Sequence, residues 1–476
     1  MKRLNVLLSA YSCRPNMGSE PGVGWQTAQQ LSQTHHVWVL TRDDNRPSIE
    51  AERLLHPNPN LQVVYCQVPG QPLGLRSGQQ LHYYLWQLLV YRIALQLQQQ
   101  HHFDIAQHIT YVKYWSPSLI SLLPVPFVWG PVGGGESAPS AFVQGFSVRG
   151  QVSETLRNTA RWLAEHGPLV RLTARRAKIA LATTDETAQR LKKLGAESVA
   201  VCSQLGLSHS ELATLAALPD AAFSESESPS RLLSIGRLLH WKGFHLSLQA
   251  FAQANLPETV EYWIVGNGPE KVRLQRLAKQ LEIDHKVKFL SEMPRRDVLA
   301  HLGCAIALVH PSLHDSGGFV CLEAMAAGIP VLCLNLGGPA LQVTDQTGIK
   351  VEATIPEETI SELAKSMTEL AAQPAHCKKL GQAGQQRARE TFTWTRKGEY
   401  FSSIYHQLVS QSLQDSPENL SPTNPCSLPT ATHFLCQPSL YLVDGCYPHQ
   451  KRLFARKPRG SLALTRSMLV PDECQV

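Results

Sequence analysis

Eleven cysteines are spread through the 476 residues without one C-x-x-C pair or a Cys/His cluster at metal-ligand spacing. An odd total in a chain this long argues against a disulfide framework. The thiols read as reduced, cytosolic and packed in the core, and no metal is expected. Missing too is any run of 18 apolar residues, so no membrane-spanning helix is expected. The opening MKRLNVLLSAYSC has two cations before an apolar run, but that run is too short for a signal segment and reads as a first buried strand, Asn5 to Tyr11. No block of consecutive Lys/Arg resembles a nucleic-acid arm. With 44 basic against 38 acidic residues the net charge is only +6, which fits a polyanionic ligand or an anionic membrane surface and no nucleic acid. What remains is 43% apolar and 17% charged, the balance of a soluble globular enzyme, with length for two domains and some extra.

The most informative stretch is His310 to Pro339, HPSLHDSGGFVCLEAMAAGIPVLCLNLGGP. Ala305 to His310 is a short apolar run of buried-strand type. A loop with Asp315, Ser316, Gly317 and Gly318 follows, then an amphipathic helix from Phe319 to Ala327, ended by Gly328 and Pro330. A second strand, Pro330 to Leu334, leads to a Gly337-Gly338-Pro339 turn. Glycines at a strand-to-helix turn let backbone amides approach an anion, and the helix start adds positive potential. Asp315 and Glu323 bracket these glycines eight positions apart. One carboxylate is placed for the reactive end of a phosphorylated ligand and the other for its hydroxyls.

Earlier in the chain, strand one runs into Gly18-Ser19-Glu20-Pro21-Gly22-Val23-Gly24-Trp25, a glycine-rich turn before a helix from Trp25 to Gln33. It does not match G-x-G-x-x-G, and no acid suited to an NAD ribose follows the second strand, Val37 to Thr41. Leu61 to Gln67 is a third strand. Gln79 to Gln100 is a helix with Leu81, Tyr84, Leu85, Leu88, Tyr91 and Leu95 on one face and Trp86, Val90 and Ile93 opposite, which reads as buried between sheet and neighbours in preference to touching a membrane. His108 ends the strand Asp104 to Thr110, where open sheets bind ligands, or is an ordinary packed histidine. Phe127 to Trp129 feeds Gly130-Pro131-Val132-Gly133-Gly134-Gly135-Glu136, a site of close ligand approach or a mobile loop. From Val152 to Lys178 the pattern is helical and basic, broken at Gly167-Pro168, with Arg157, Arg161, Arg171, Arg175 and Arg176 either solvated or lying on anionic lipid.

A shift to Ala, Ser and Glu over residues 206–230 reads as a linker between a first domain, residues 1–205, and a second, 231–391. The second restarts the strand–helix alternation. Beyond its first strand, Arg231 to Gly236, Arg237 and Lys242 stand five residues apart and can clamp a diphosphate, Arg by its planar fork and Lys as a point charge. Residues 392–412 form a last helix, and 413–476 is Pro- and Ser-rich and read as disordered, with LYLV and KRLFARKPR as short contacts.

These motifs together resemble the retaining glycosyltransferases of family 4, over roughly residues 5 to 410. The family signature is E-x7-E around S-F-G-L; here it is D-x7-E around S-G-G-F, with Asp315 one methylene shorter than the usual Glu and Gly317 in place of Phe. The run SIGRLLHWKG matches the family's G-R-x-x-x-x-K-G element. The resemblance implies the GT-B architecture, α/β with two doubly wound Rossmann-like domains across a cleft, and a last helix crossing back to the first domain. It further implies a nucleotide diphosphate sugar as donor substrate with no cofactor and no metal, and a glycan or lipid-linked acceptor.

By the same resemblance Arg237 and Lys242 hold the diphosphate, Glu323 the ribose, and Asp315 with the amides of Gly317, Gly318, Phe319 and Val320 the sugar. His108 touches the donor sugar, Gly18, Ser19 and Gly22 face phosphates and acceptor, Gly266 and Gly268 in the V-G-x-G-P turn lie near the nucleotide, and Glu136 meets acceptor hydroxyls. The location implied is cytoplasmic, peripheral at the inner membrane face. A nucleotide-sugar epimerase of the same architecture and a non-catalytic nucleotide-sugar-binding protein stay open as alternatives.

Overall fold

The structure, a computed structural model, describes residues 2–68, 78–218 and 230–414. The LYLV and KRLFARKPR segments and most of SESESPS lie outside the described residues.

The first half alternates strands and helices. In chain order come β1 (Asn5–Ala10), α1 (Ser19–Ser32), β2 (His36–Arg42), α2 (Arg46–Leu55), β3 (Leu61–Cys66), α3 (Gly78–His101), β4 (Ile105–Thr110) and β5 (Phe127–Val132). Then follow α4 (Ser140–Val143), α5 (Val148–Glu165), α6 (Pro168–Arg176), β6 (Ala177–Ala182), α7 (Asp185–Leu194) and β7 (Val199–Val201). Local chemistry sets several boundaries. The Thr184 hydroxyl accepts from the Thr187 amide at the start of α7, Asp185 and Glu186 occupy its first turn, Lys192 and Lys193 its last, and Gly195 closes it at φ +98°.

After α8 (His209–Ala216) the pattern restarts with β8 (Arg231–Ile235), α9 (Phe244–Gln253), β9 (Glu261–Val265), α10 (Lys271–Gln280), β10 (Val287–Leu290), α11 (Arg295–Leu302) and β11 (Ala305–His310). It ends with α12 (Phe319–Ala326), β12 (Val331–Leu334), α13 (Gly337–Gln342), β13 (Gly348–Val351), α14 (Pro356–Ala372), α15 (Pro374–Thr391) and α16 (Trp394–Gln414).

Both sheets are parallel throughout, seven strands in the order β3-β2-β1-β4-β5-β6-β7 and six in the order β10-β9-β8-β11-β12-β13. Strand order reverses at β1/β4 in one and at β8/β11 in the other, the two places where open sheets leave a crevice beyond the strands' carboxyl ends. One face of the first sheet is covered by α3, α6 and α7 through Trp86, Val90, Val170 and Leu191, and the other by α1 and α16 through Trp25, Leu31, Phe401 and Tyr405. The second sheet carries α9, α10 and α14 on one side and α8, α12 and α15 on the other. Two segments among others tie the halves together by apolar packing. Helix α16 begins with Trp394 in the second domain's core and ends with Phe401, Ile404 and Tyr405 in the first's. Phe142, in α4, and Phe146, just after it, are buried in the second domain's core.

Four expectations change. Helix α1 starts at Ser19, not Trp25, because Gly22 and Gly24 are packing glycines inside it: a Cβ would lie 2.1 Å from the Met17 carbonyl oxygen and 2.3 Å from that of Ser12. The Gly337-Gly338-Pro339 turn opens α13. Residues 206–218 carry a capped helix, α8, whose Leu212 and Leu215 are buried in the second domain, where a linker was expected. Helix α3 buries Tyr83, Trp86, Val90 and Ala94, while Leu81, Tyr84, Leu85 and Leu88 face outward.

Candidate functional site

The second switch point is built from two turns packed back to back. Residues Gly236 to Leu238 after β8 lie against Gly266 to Gly268 after β9, bonded through Gly236 N to Val265 O (3.0 Å) and Leu238 N to Asn267 O (2.8 Å). Only glycine fits this approach: Gly266 has φ +146°, a Cβ there would lie 2.0 Å from the Gly236 carbonyl oxygen, and one at Gly268 would lie 2.4 Å from that of Leu238. These glycines brace the Arg237 loop, half-buried at Arg237 itself.

The chain then turns through Gly243, φ +70°, pressed against Pro311 at the end of β11. That contact brings Lys242 to Asp315: Lys242 donates to Oδ2 at 2.5 Å, and the His310 ring lies 3.2 Å from the same oxygen. The other oxygen accepts from the amides of Gly317 (3.2 Å) and Gly318 (3.1 Å), the latter at the start of α12 with φ +67°. Against the burial that would raise it, Lys242 and His310 hold the Asp315 carboxyl well below the usual range. Both Asp315 oxygens are thus engaged with the protein, and the side chain ties the lysine to the helix start. The Gly337–Gly338 turn lies over this loop, with Gly338 N donating to Asp315 O at 2.7 Å and Gln342 donating to Gly317 O. Phe319 and Val320, in the first turn of α12, are half-buried.

One turn further on, Glu323 is buried; burial pushes its carboxyl up to about 7, opposed by Arg295. Arg295 Nη2, from the first residue of α11, lies 2.6 Å from Oε1, and Glu211 of α8 approaches the same guanidinium at 3.9 Å.

The first domain meets this loop directly. Ser316 donates to Glu136 Oε2 at 2.7 Å and accepts from the Gly134 amide at 3.3 Å. Glu136 also accepts from Thr184 (2.7 Å) and Thr187 (2.9 Å) and is buried, so its carboxylate orders the Gly133–Gly135 turn where acceptor contact was expected. A second bridge runs from α5: Glu154 Oε1 lies 3.3 Å from His240 Nε2 and 3.1 Å from His314 Nε2. Despite burial, these imidazoles hold the Glu154 carboxyl well below its ordinary value, while burial pushes His314 down to about 4.

Other expected residues stand apart. His108 lies in the last half of β4 but is 1% exposed, stacked 6.3 Å from Tyr83, and burial pushes it down to about 3: a neutral ring under an aromatic cluster, not a cleft-lining group. Gly18 caps α1 and Ser19 begins it at φ +58°, with Gly22 spent on packing. Sequence reading missed Ser316, Glu154, His314 and Arg295. Ser316 sits inside the recognised motif; the other partners are far apart in sequence, and only the fold brings them together.

Two Rossmann-like sheets facing at their switch points define the GT-B fold. Residues 220–387, most of the second domain, match the family described as Glycosyl transferases group 1. The chain is 30% identical over 190 residues to glycogen synthase of Mycobacterium tuberculosis, covering 39% of this chain and 45% of that one. It is also 30% identical over 177 residues to a GDP-mannose-dependent monoacylated alpha-(1-6)-phosphatidylinositol monomannoside mannosyltransferase of Corynebacterium glutamicum, covering 35% and 45%. The match therefore spans less than half the length of these curated relatives. In fold it is similar to sucrose-phosphate synthase of Thermosynechococcus elongatus, with TM-score 0.58 and 18% identity over 86% of this chain and all of that one.

Proposed function

We propose that this protein moves a sugar from a nucleotide diphosphate sugar to a hydroxyl of a glycan or lipid-linked acceptor, with retention of anomeric configuration. The observation that carries the reading is the Lys242–Asp315 pair at the start of α12, which sets an ammonium beside backbone amides and one short loop from Arg237. Such a group favours a diphosphate, and charge that grows on it as the C1–O bond breaks meets fixed cations and dipoles that need no reorganisation. Arg237 and Lys242 hold the diphosphate, Glu323 accepts from ribose hydroxyls, and the α12 amides receive the sugar. The new bond forms between the acceptor oxygen and C1, and the acceptor proton passes to the departing diphosphate. The donor named for the mannosyltransferase relative supports a nucleotide sugar.

Calorimetric titration with UDP, GDP and ADP tests this. One nucleotide is expected to bind the wild type and to lose about 2 to 4 kcal/mol in the Arg237→Ala, Lys242→Ala double variant. Equal binding by the variant overturns the assignment. Product analysis by NMR with the matching donor then separates transfer from epimerisation, in which the sugar changes with no acceptor, and from binding without turnover.

An anionic membrane surface is the further partner. Among the described residues no helix is long and apolar enough to cross a membrane. Yet eleven of the seventeen exposed large apolar side chains there sit on α3, α5 and α6, beside exposed Arg171, Arg175 and Arg176. Helices α3 and α6 flank one turn: Gln87 accepts from Leu119 N, Thr173 from Ser118 N, and Arg176 donates to Ser121 O. Apolar side chains with a cationic fringe suit the headgroup boundary. Vesicles containing phosphatidylglycerol are expected to retain the wild type and release a variant with Glu at 171, 175 and 176; unchanged binding removes the membrane from the reading.

A further inference from the structure

Glu323 is a carboxylate with little water around it, and one cation reaches it from a different helix. Arg295 stands at the first position of α11, directly after the β10–α11 turn, and its side chain remains half exposed. From there its guanidinium lies 2.6 Å from Glu323 Oε1, passes 5.7 Å over the Phe319 ring, and has Glu211 of α8 on its far side at 3.9 Å. Three elements, α8, α11 and α12, thus converge on one side chain. A carboxylate offers about four acceptor positions, and a single ion pair leaves room for the two hydroxyls of a ribose.

We propose that Arg295 is a positioning residue of the donor site: its guanidinium orients the Glu323 carboxylate and favours its ionised, accepting form, so that nucleoside binding depends on it near neutral pH. The inference rests on Glu323 as the ribose-binding group. The charged groups that act on Glu323 are Arg295, which favours its ionised form, and Glu211, which disfavours it; burial also disfavours it and is the largest influence. Without Arg295 the balance tips to the protonated acid. A protonated Glu323 keeps a donor where an acceptor is needed, and the ribose hydroxyls lose their strongest contact.

The experiment is calorimetry with whichever of UDP, GDP and ADP binds the wild type, from pH 6 to 9, on wild type, Arg295→Gln, Arg295→Lys and Glu323→Gln. Wild-type affinity should rise through about pH 7 and level off above it. In Arg295→Gln the rise should move up by about one pH unit, which makes binding about fivefold weaker at pH 7 and close to wild type at pH 9. Arg295→Lys should restore most of the wild-type profile, and Glu323→Gln should bind weakly with no such rise. A merely structural Arg295 would weaken binding equally at every pH, and that result, or an unmoved profile, overturns the proposal. If Glu323→Gln binds as tightly as wild type at pH 8, the ribose assignment itself fails, whatever Arg295 does.

Discussion

Replacing Asp315 by Ala removes four contacts at once: the Lys242 ammonium at 2.5 Å, the His310 ring at 3.2 Å, and the amides of Gly317 and Gly318. The Lys242 and Asp315 side chains are 21% and 17% exposed, so their pair falls between an exposed one, worth about 1 kcal/mol or less, and a buried one, where losing a partner costs about 3 to 5. A value of about 2 kcal/mol is reasonable for it, and each amide left without an acceptor adds about 1. Some of this is recovered by water entering the gap, which sets the expected loss at about 3 kcal/mol in urea unfolding followed by tryptophan fluorescence. Asp315→Asn keeps an acceptor for the amides and should lose about 2. The pH dependence is the sharper check. A depressed carboxyl contributes stability that is present above its unfolded value near about 3.9 and is lost as pH falls through the folded value. The gap between wild type and Asp315→Asn should therefore be widest at neutral pH and shrink only below about pH 4. A loss under 0.5 kcal/mol in Asp315→Ala, or a gap that stays constant from pH 7 to 3, would refute the view of Asp315 as the tie between Lys242 and α12.

Glu323→Gln should remove a stability slope of the opposite sign. A raised carboxyl binds its proton in the folded state while the unfolded chain has released it, so wild-type stability falls from the ordinary carboxyl range up to about pH 7, and urea midpoints of the variant should not follow. Gly268→Ala forces a Cβ to within 2.4 Å of the Leu238 backbone oxygen and should displace the Arg237 loop, lowering nucleotide affinity at least tenfold while far-UV circular dichroism is retained. Combining Glu154→Ala with Ser316→Ala cuts two bridges between the domains and should raise the radius of gyration in small-angle scattering; an unchanged value would mean that α16, the Phe142–Phe146 packing and the remaining polar ties, such as Ser147 to Glu270, hold the cleft without them.

The alternation of apolar runs with glycine turns made two parallel sheets legible, because a buried parallel strand leaves a continuous apolar run that a surface strand does not. Helix α3 marks the limit. Its sequence is apolar nearly all round, and periodicity cannot tell which stripe meets the sheet. Trp86 and Tyr83 are taken inward because Tyr11, at the end of β1, offers ring partners 5.1 and 5.3 Å away, and that partner comes from a strand some seventy residues earlier. Glycine was ambiguous in the same way. The run at Gly18 to Gly24 and the pair at Gly337 and Gly338 both read as turns, yet each sits where a helix packs so closely on another backbone that a Cβ would collide.

The site shows the same division. Spacing alone placed Asp315 and Glu323 on one strand-to-helix crossing and Arg237 with Lys242 on another, since local geometry fixes residues a few positions apart. What each carboxylate does was set from elsewhere. Asp315 and Glu323 belong to one motif, but Lys242 and His310 hold the first well ionised, while burial raises the second toward neutrality with a lone cation from α11 opposing it. Two carboxylates eight residues apart thus differ in charge state near neutral pH because one is paired at 2.5 Å with the Lys242 ammonium from the β8–α9 loop and held by two backbone amides, while the other has only a half-exposed guanidinium from α11 against its burial. In the proposed donor site a pair set apart in this way would divide the work: the firmly ionised member is committed to structure, and the marginal one can respond to the ligand.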